Sequence, residues 1–405
     1  MKLRGRPQQD IYLPAGFSFS SACAGIKASG RPDLALVEAC PGTAAAAVFT
    51  KNRVVAAPLE VGRAALASTR GRVRAVIVNS GNANCATGKA GIRACQDVCG
   101  SLARLLGFRT SEIFPSSTGI IGVPLPVEKI VAKLPELTAA RTPARQGIAD
   151  FARAIMTTDT RPKLASARFH SGKSTVSLLG IAKGAGMIHP QLATMLVYLF
   201  TDIAATPAEL KRSLHEVCEQ TFNCISIDGD TSTNDTVLLL ASGGSGVRLK
   251  QPSSQRDFAR ALLPVCQSLA EQIISDGEGV QHVIRLSVEQ ARNREEARQV
   301  ARTVAHSLLV KTAWAGADPN WGRILAAAGR SGVALDPAKV SIQIGDQMVC
   351  RGGVGCAFDQ KRAHQALAQP QCEIRLLLGR GRSSIRFLTT DLTTEYVRIN
   401  ADYST

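Results

Sequence analysis

Hydroxyl groups and backbone donors crowd into a few short segments of this 405-residue chain. Asn79–Gly88 reads NSGNANCATG, Ser116–Pro126 reads SSTGIIGVPLP, Met156–Lys163 reads MTTDTRPK and Phe222–Thr236 reads FNCISIDGDTSTNDT. Between them, Lys183–Asp202 reads KGAGMIHPQLATMLVYLFTD, a Gly-rich loop leading through Pro190 to Ala193-Thr194 and at once into an apolar run. Polar turns occur on any surface, but these are unusually dense in Thr, Ser, Asn and Gly. That is the composition needed to bind an amino-acid zwitterion and a developing oxyanion. Taken alone, Ala-Thr-Met-Leu is also simply the beginning of a buried strand.

Other clusters suggest chemistry and fail on spacing. Ser171-Gly172-Lys173-Ser174-Thr175 resembles the end of a phosphate-binding loop, but the glycine required five residues before Gly172 is Ala167. Asp228, Asp230 and Asp235 do not have the glycine and later glutamate of a calcium loop, so a polar turn is the better reading. His189, next to Pro190, reads as loop structure. No metal site is expected. The eleven cysteines form no Cys-x-x-Cys pair, and reduced thiols fit best. Cys95 and Cys99, four apart on one helix face, read as small buried apolar residues.

The elements that must position these clusters alternate short apolar runs with helical stretches, giving an α/β or α+β class. Arg74–Asn79 is predicted as a buried strand ending in a turn over Ser80–Asn84. A helix follows from about Lys89 to Leu106, with Gly107 as its stop. Further helices are predicted over Glu209–Thr221, Arg256–Ser275 and Arg294–Leu309. Strands are predicted at Thr175–Ile181, Met195–Phe200, Val237–Leu240, His282–Val288, Val340–Ile344 and Glu373–Leu378. A boundary is expected near Ser287, where a strand gives way to a charged helix.

The net charge of +16 would suit nucleic acid, an anionic membrane or small acidic substrates. Aromatic residues are only 4%, and no basic run is interleaved with stacking residues, which argues against nucleic acid. Asp10, Pro14 and the serines at 18, 20 and 21 interrupt the one segment that could pass for a signal peptide. No stretch reaches the roughly 18 apolar residues of a membrane span. A cytoplasmic protein with no membrane partner is expected.

The segments quoted above, together with VKTAWAGADPNWGRILAAAGRSG at Val310–Gly332 and YVRINADYST at Tyr396–Thr405, resemble the ornithine acetyltransferase (glutamate N-acetyltransferase) family. They run in family order from the first fifth of the chain to its last residue. The resemblance implies an αββα sandwich similar in plan to N-terminal-nucleophile enzymes, with a smaller C-terminal α/β domain. It also implies self-cleavage between Ala193 and Thr194 into 1–193 and 194–405, assembled as a heterotetramer of two of each fragment. Thr194 Oγ would attack the Ala193 carbonyl, and water would open the resulting ester. The freed α-amine, with a pKa of about 7.7–8.0 in model compounds, can then take the proton of its own hydroxyl.

The resemblance assigns further roles position by position. Thr118 and Gly119 would form the oxyanion hole, and a tight turn is the plainer reading of the same residues. Thr157, Lys183, Glu278, Asn400 and Thr405 would contact substrate beside Thr194. Lys183 would also favour a neutral amine through like-charge repulsion. After Glu278 the sequence departs from the family's Gly-Ala-Thr-Lys, having Gly279-Val280-Gln281-His282, so no basic group is assigned there. The implied reaction is ping-pong: acetyl passes from N-acetyl-L-ornithine to Thr194 and then to L-glutamate. No cofactor is implied, and acetyl-coenzyme A as a further donor is left open. The rivals are an N-terminal-nucleophile amidase or aminopeptidase, and a basic binding protein without chemistry.

Overall fold

In the computed structural model, residues 10–189 and 195–402 are described. Alternation of side chains along each strand decides the layering, because successive residues point to opposite faces. In Leu196–Thr201, Val197 and Leu199 enter one core while Leu196, Tyr198 and Phe200 enter another. Thr236–Ala241 divides in the same way, Val237 and Leu239 against Leu238 and Leu240. Strands buried on both faces must be covered on both, and they are.

These two strands lie parallel at the centre of a five-stranded sheet, in the order Ala44–Phe49, Thr236–Ala241, Leu196–Thr201, Ser174–Lys183, Lys163–Ser171. One face packs on helices Pro207–Gln220 and Pro252–Ser275 through Leu210, Leu214, Phe258 and Leu269. The other meets a four-stranded sheet in the order Phe17–Ala22, Leu34–Ala39, Ala75–Asn82, Ile113–Ile120. Phe17, Phe19, Val37, Val76 and Val78 fill the space between the sheets. The outer face of the smaller sheet carries Leu34, Leu36 and Ile77 against helices Gly88–Leu106 and Val127–Ala139. The result is the expected helix–sheet–sheet–helix sandwich. A third sheet of six strands follows, with Val283–Ala291 between Gln371–Leu377 and Ser383–Thr390. Its core includes Val300, Trp314, Ile342, Ile374 and Phe387. Ser287 lies within its strand Val283–Ala291.

Helix Gly88–Leu106 ends as read, at Gly107 in a left-handed conformation whose N–H bonds the Ala103 carbonyl. Cys95 and Cys99 are buried in its core. Two expectations need correction. The strand predicted to stop at Asn79 continues to Asn82, because it pairs in parallel with Ile113–Ile120 through the predicted turn. Thr118-Gly119 accordingly belongs to a strand and not to a tight turn. The helix predicted over Arg294–Leu309 is two, Arg294–Ala305 and Leu308–Ala315. His306 caps the first and turns its ring to Ser226 Oγ at 2.9 Å, leaving Leu308 and Leu309 exposed. The apolar period survived across a break that only this contact reveals. Ser171–Thr175, the false phosphate loop, is the reversal between two antiparallel strands, with Gly172 at φ 62°.

The long helix Pro252–Ser275 sits so close to Ser174–Lys183 that a Cβ on Gly180 would lie 2.6 Å from Leu269 Cδ1 and 3.0 Å from Val265 Cγ1. Gly180→Val is therefore expected to destabilise the protein by about 1–3 kcal/mol through overpacking. A urea titration checks this: a lower midpoint at unchanged slope is expected, and an unaltered midpoint contradicts the close packing.

Candidate active site

A cleft of about 590 Å³, counted to its open mouth, is lined by Thr118, Gly119, Thr157, Lys183, Glu278 and Asn400, together with Gly186, Met187 and Ser232–Asn234. Six residues singled out in the sequence, spread over 282 positions from Thr118 to Asn400, thus face one space. Ala193, Thr194 and Thr405 lie outside the described residues, so their expected roles carry no geometry.

The Thr118-Gly119 corner comes from two strands that nearly touch. Gly119 has φ 134°, and a Cβ there would lie 2.3 Å from the Gly81 carbonyl carbon and 2.5 Å from the Asn82 nitrogen. Only glycine allows that approach. Amide side chains then fix the corner. Asn234 Nδ2 donates to the Ala83 and Ser117 carbonyls at 2.7 and 2.9 Å, and Ser117 Oγ donates to Asn79 Oδ1 at 2.5 Å. Each of these groups is buried and each is satisfied, as a rigid polar network requires. The NSGNANCATG, SSTGIIG and STND segments are therefore parts of one structure.

Lys183 ends its strand with its side chain buried, and its Nζ donates to Thr118 Oγ1 at 3.2 Å. With a lone pair of that oxygen occupied, the Thr118 hydroxyl proton is free to be donated elsewhere. Burial pushes the Lys183 ammonium below its usual range, Asp159 draws it back up, and Lys163 pushes it down again. Lys183 is the direct strand partner of Leu196, two residues after Thr194. The Met195 N–H donates to Asp235 Oδ1 at 2.9 Å. Asp235 is buried, and that burial raises its carboxyl well above the ordinary range. The segment Met195-Leu196 is thus tied to Asp235 on one side and to Lys183 on the other.

Glu278 reaches the cleft across a glycine: a Cβ on Gly186 would stand 2.3 Å from Glu278 Oε2. Its own N–H donates to the Ala185 carbonyl at 2.9 Å, and Asn400 Nδ2 donates to Glu278 Oε2 at 2.9 Å. Asn400 arrives on the helix Thr394–Asp402, seated on Gly279. Thr393 Oγ1 donates to the Gly279 carbonyl at 2.6 Å, and a Cβ on Gly279 would lie 2.3 Å from Tyr396 N. Glu278 is therefore a half-buried carboxylate facing the cleft, not a fully solvated turn acid.

His189 is absent from the cleft lining. Its ring packs on His306 at 4.7 Å and its Nε2 lies 3.0 Å from Arg302. Burial and the Arg302 guanidinium lower its pKa to about 4, so it stays neutral at physiological pH. His282 donates its N–H to Asp391 Oδ2 at 3.2 Å and precedes strand Val283–Ala291. Asp228 accepts the Met187 N–H at 2.5 Å and the Asp230 N–H at 3.1 Å, as a turn acid does. No group of three or more His, Cys, Asp or Glu arranged for a metal occurs among the described residues, nor does a helix long and apolar enough to cross a membrane. Sequence reasoning passed over Asp159, which accepts the N–H groups of Thr157 and Gly184 at 3.0 and 2.7 Å. It also treated Asp235 as part of a turn. Both stand inside the quoted segments, Asp159 two residues after Thr157.

Residues 18–405 match the ArgJ family. The arginine biosynthesis bifunctional protein ArgJ of Methylococcus capsulatus is 45% identical over 395 residues, 96% of each chain. The proteins of that name from Symbiobacterium thermophilum and Thermus thermophilus are 43% and 44% identical, over 98% of this chain in both cases and 98% and 100% of their own. Among solved structures, the bifunctional protein argJ of Bacillus halodurans is 37% identical, with a TM-score of 0.49 over 51% of this chain and 98% of its own. Ornithine acetyltransferase of Mycobacterium tuberculosis, solved with ornithine, is 39% identical, with a TM-score of 0.39 over 44% of this chain and 92% of its own. Matched at this identity along nearly its whole length, the chain belongs to the ArgJ family.

Proposed function

We propose that this chain cuts itself between Ala193 and Thr194 and then carries an acetyl group on Thr194 from N-acetyl-L-ornithine to L-glutamate. The observation that supports this most directly is the Lys183–Thr118 hydrogen bond beside Gly119, in a cleft where Lys183 is the strand partner of Leu196, two residues after Thr194. The names of the relatives, bifunctional proteins of arginine biosynthesis, agree with it.

The chemistry needs no cofactor. Thr194 Oγ attacks the acetyl carbonyl while the Thr194 amine takes the hydroxyl proton. The oxyanion accepts hydrogen bonds from the Thr118 hydroxyl and the Gly119 N–H. Collapse breaks the C–N bond, the amine passes its proton to the departing nitrogen, and ornithine leaves acetyl-Thr194. Glutamate's amine attacks that ester by the reverse path, giving N-acetyl-L-glutamate. Glu278, held by Asn400, faces the free amino group of the substrate, and Thr157 lies on the adjacent wall. A charged Lys183 near the new terminus keeps the Thr194 amine neutral at lower pH than a free amine would be. Acetyl-coenzyme A, loading the same threonine, would account for the second function in the relatives' names. In the cell we place the enzyme in the cytoplasm, as a heterotetramer of two of each fragment.

Thr194→Ala is expected to remain one chain and to be inactive, as judged by intact mass and acetylglutamate formation. Two fragments from that variant contradict the cleavage chemistry. Thr118→Val, which keeps the shape and removes the hydroxyl, is expected to slow acetyl transfer about 10²–10³-fold with the fold intact. A rate equal to wild type removes Thr118 from the oxyanion hole. Supplying N-acetylornithine without glutamate separates transferase from amidase. Little acetate is expected beyond one equivalent per site, and sustained acetate release marks a hydrolase.

A further inference from the structure

Lys163 has no exposed surface, and its Nζ lies 2.6 Å from both Asp159 Oδ1 and Asp276 Oδ2. A buried charge is tolerated only when paired and hydrogen-bonded, and here one buried ammonium is matched by two carboxylates, of which Asp276 also faces Arg161 Nε at 3.7 Å. Neither carboxylate stops there. Asp159 Oδ1 also accepts the Gly184 N–H at 2.7 Å, and its Oδ2 accepts the Thr157 N–H at 3.0 Å. Asp276 Oδ2 accepts the Thr160 N–H at 3.1 Å, and its Oδ1 accepts the Thr160 hydroxyl. Asp276 stands two residues before Glu278. The loop with Thr157, the strand end with Lys183 and the turn with Glu278 therefore all meet at one ammonium group.

We propose that Lys163 is a positioning residue for the acetyl-transfer site, holding Thr157, Lys183 and Glu278 on one cleft through Asp159 and Asp276 and setting the charge of Lys183 through Asp159. The inference rests on the preceding reading for the meaning of the cleft, but the contacts that carry it do not involve Thr194. Asp159 serves two lysines at once. Burial alone would raise its carboxyl, yet Lys163 and Lys183 hold it far below the usual carboxylate range. Lys183 in turn faces Asp159, Lys163, Glu278 and Asp235, and its charge is also felt by Lys27. Removing Lys163 leaves Asp159 to Lys183 alone and takes away a like charge, so the Lys183 pKa must rise. Neutralising Asp276 does the reverse. Lys163 then leans on Asp159 without its second counter-ion, and the Lys183 pKa must fall. A residue that only filled space would not move Lys183 in opposite directions.

The test is a ¹³Cε-lysine NMR titration of the purified protein, with the Lys183 signal assigned through Lys183→Arg. It is run on wild type, Lys163→Met and Asp276→Asn. The Lys183 midpoint is expected to rise by about one pH unit in Lys163→Met and to fall in Asp276→Asn. In parallel, KM for N-acetyl-L-ornithine is expected to rise about tenfold or more in Lys163→Met, with a smaller loss in kcat. Unmoved midpoints, or midpoints that move the same way, overturn the proposal. If Lys163→Met does not fold, Asp276→Asn decides alone, and a midpoint that rises or stays overturns it. Failure of the wild type to make acetylglutamate would sink the functional reading instead, since the titration reads Lys183 without turnover.

Discussion

Charges that have lost their water dominate the interior of this protein beside its cleft. The ions Asp159, Lys163, Lys183 and Asp276 are all buried there, as is Asp235, whose burial favours its neutral form. Each such ion forfeits several kcal/mol of hydration, which only close partners restore. The partners available are one another and the N–H groups of the loops around them, so the loops must come to the charges. That requirement places Thr157, Gly184 and Met195 through their main-chain donors before any substrate is considered. The polar side of the cleft is a consequence of satisfying its buried floor.

A second constraint is steric and falls on glycine. At Gly119 a methyl group would strike the backbone of Gly81, at Gly186 the carboxylate of Glu278, and at Gly279 the nitrogen of Tyr396. Each contact joins segments remote in sequence: two strands, a loop and a turn, a turn and the last helix. These glycines are therefore less about flexible chain than about close approach, and each brings an assigned residue into the cleft. Charge pairing decides which loops converge, and the glycines decide how near they come.

Much of this was legible in the sequence, for reasons that differ by element. Helix Gly88–Leu106 and its stop at Gly107 follow from a clear apolar period and a left-handed cap. The central strands show as short apolar runs because both faces are buried. Thr118, Gly119, Thr157, Lys183, Glu278 and Asn400 were assigned through the family resemblance of the segments that hold them, and the structure brings them to one cleft. What the sequence hid depends on partners far along the chain. The strand through Ser80–Asn82 looked like a turn because its pairing with Ile113–Ile120 has no local signature. The break at His306 depends on Ser226, eighty residues earlier. Lys163 and Asp276 are 113 residues apart, and neither suggests by itself that it is buried.

The strand order also bears on how a cut before Thr194 could leave a working enzyme. In the five-stranded sheet, Thr236–Ala241 and Leu196–Thr201 come from the downstream segment and lie side by side. Upstream strands flank them on both sides, Ala44–Phe49 on one and Ser174–Lys183 on the other. Separating the two pieces would break two complete ladders and expose Tyr198, Phe200, Leu238 and Leu240, all without exposed surface in the sandwich. Burying a side chain of that size is worth about 1.5–3 kcal/mol, so the four alone oppose dissociation strongly. A scission at this junction would cost none of those contacts, because it falls before the first residue of a central strand and not within it. Leu196, two residues past that junction, pairs with Lys183 on one side and Thr236 on the other, so the strand behind such a cut stays beside the Lys183–Thr118 corner.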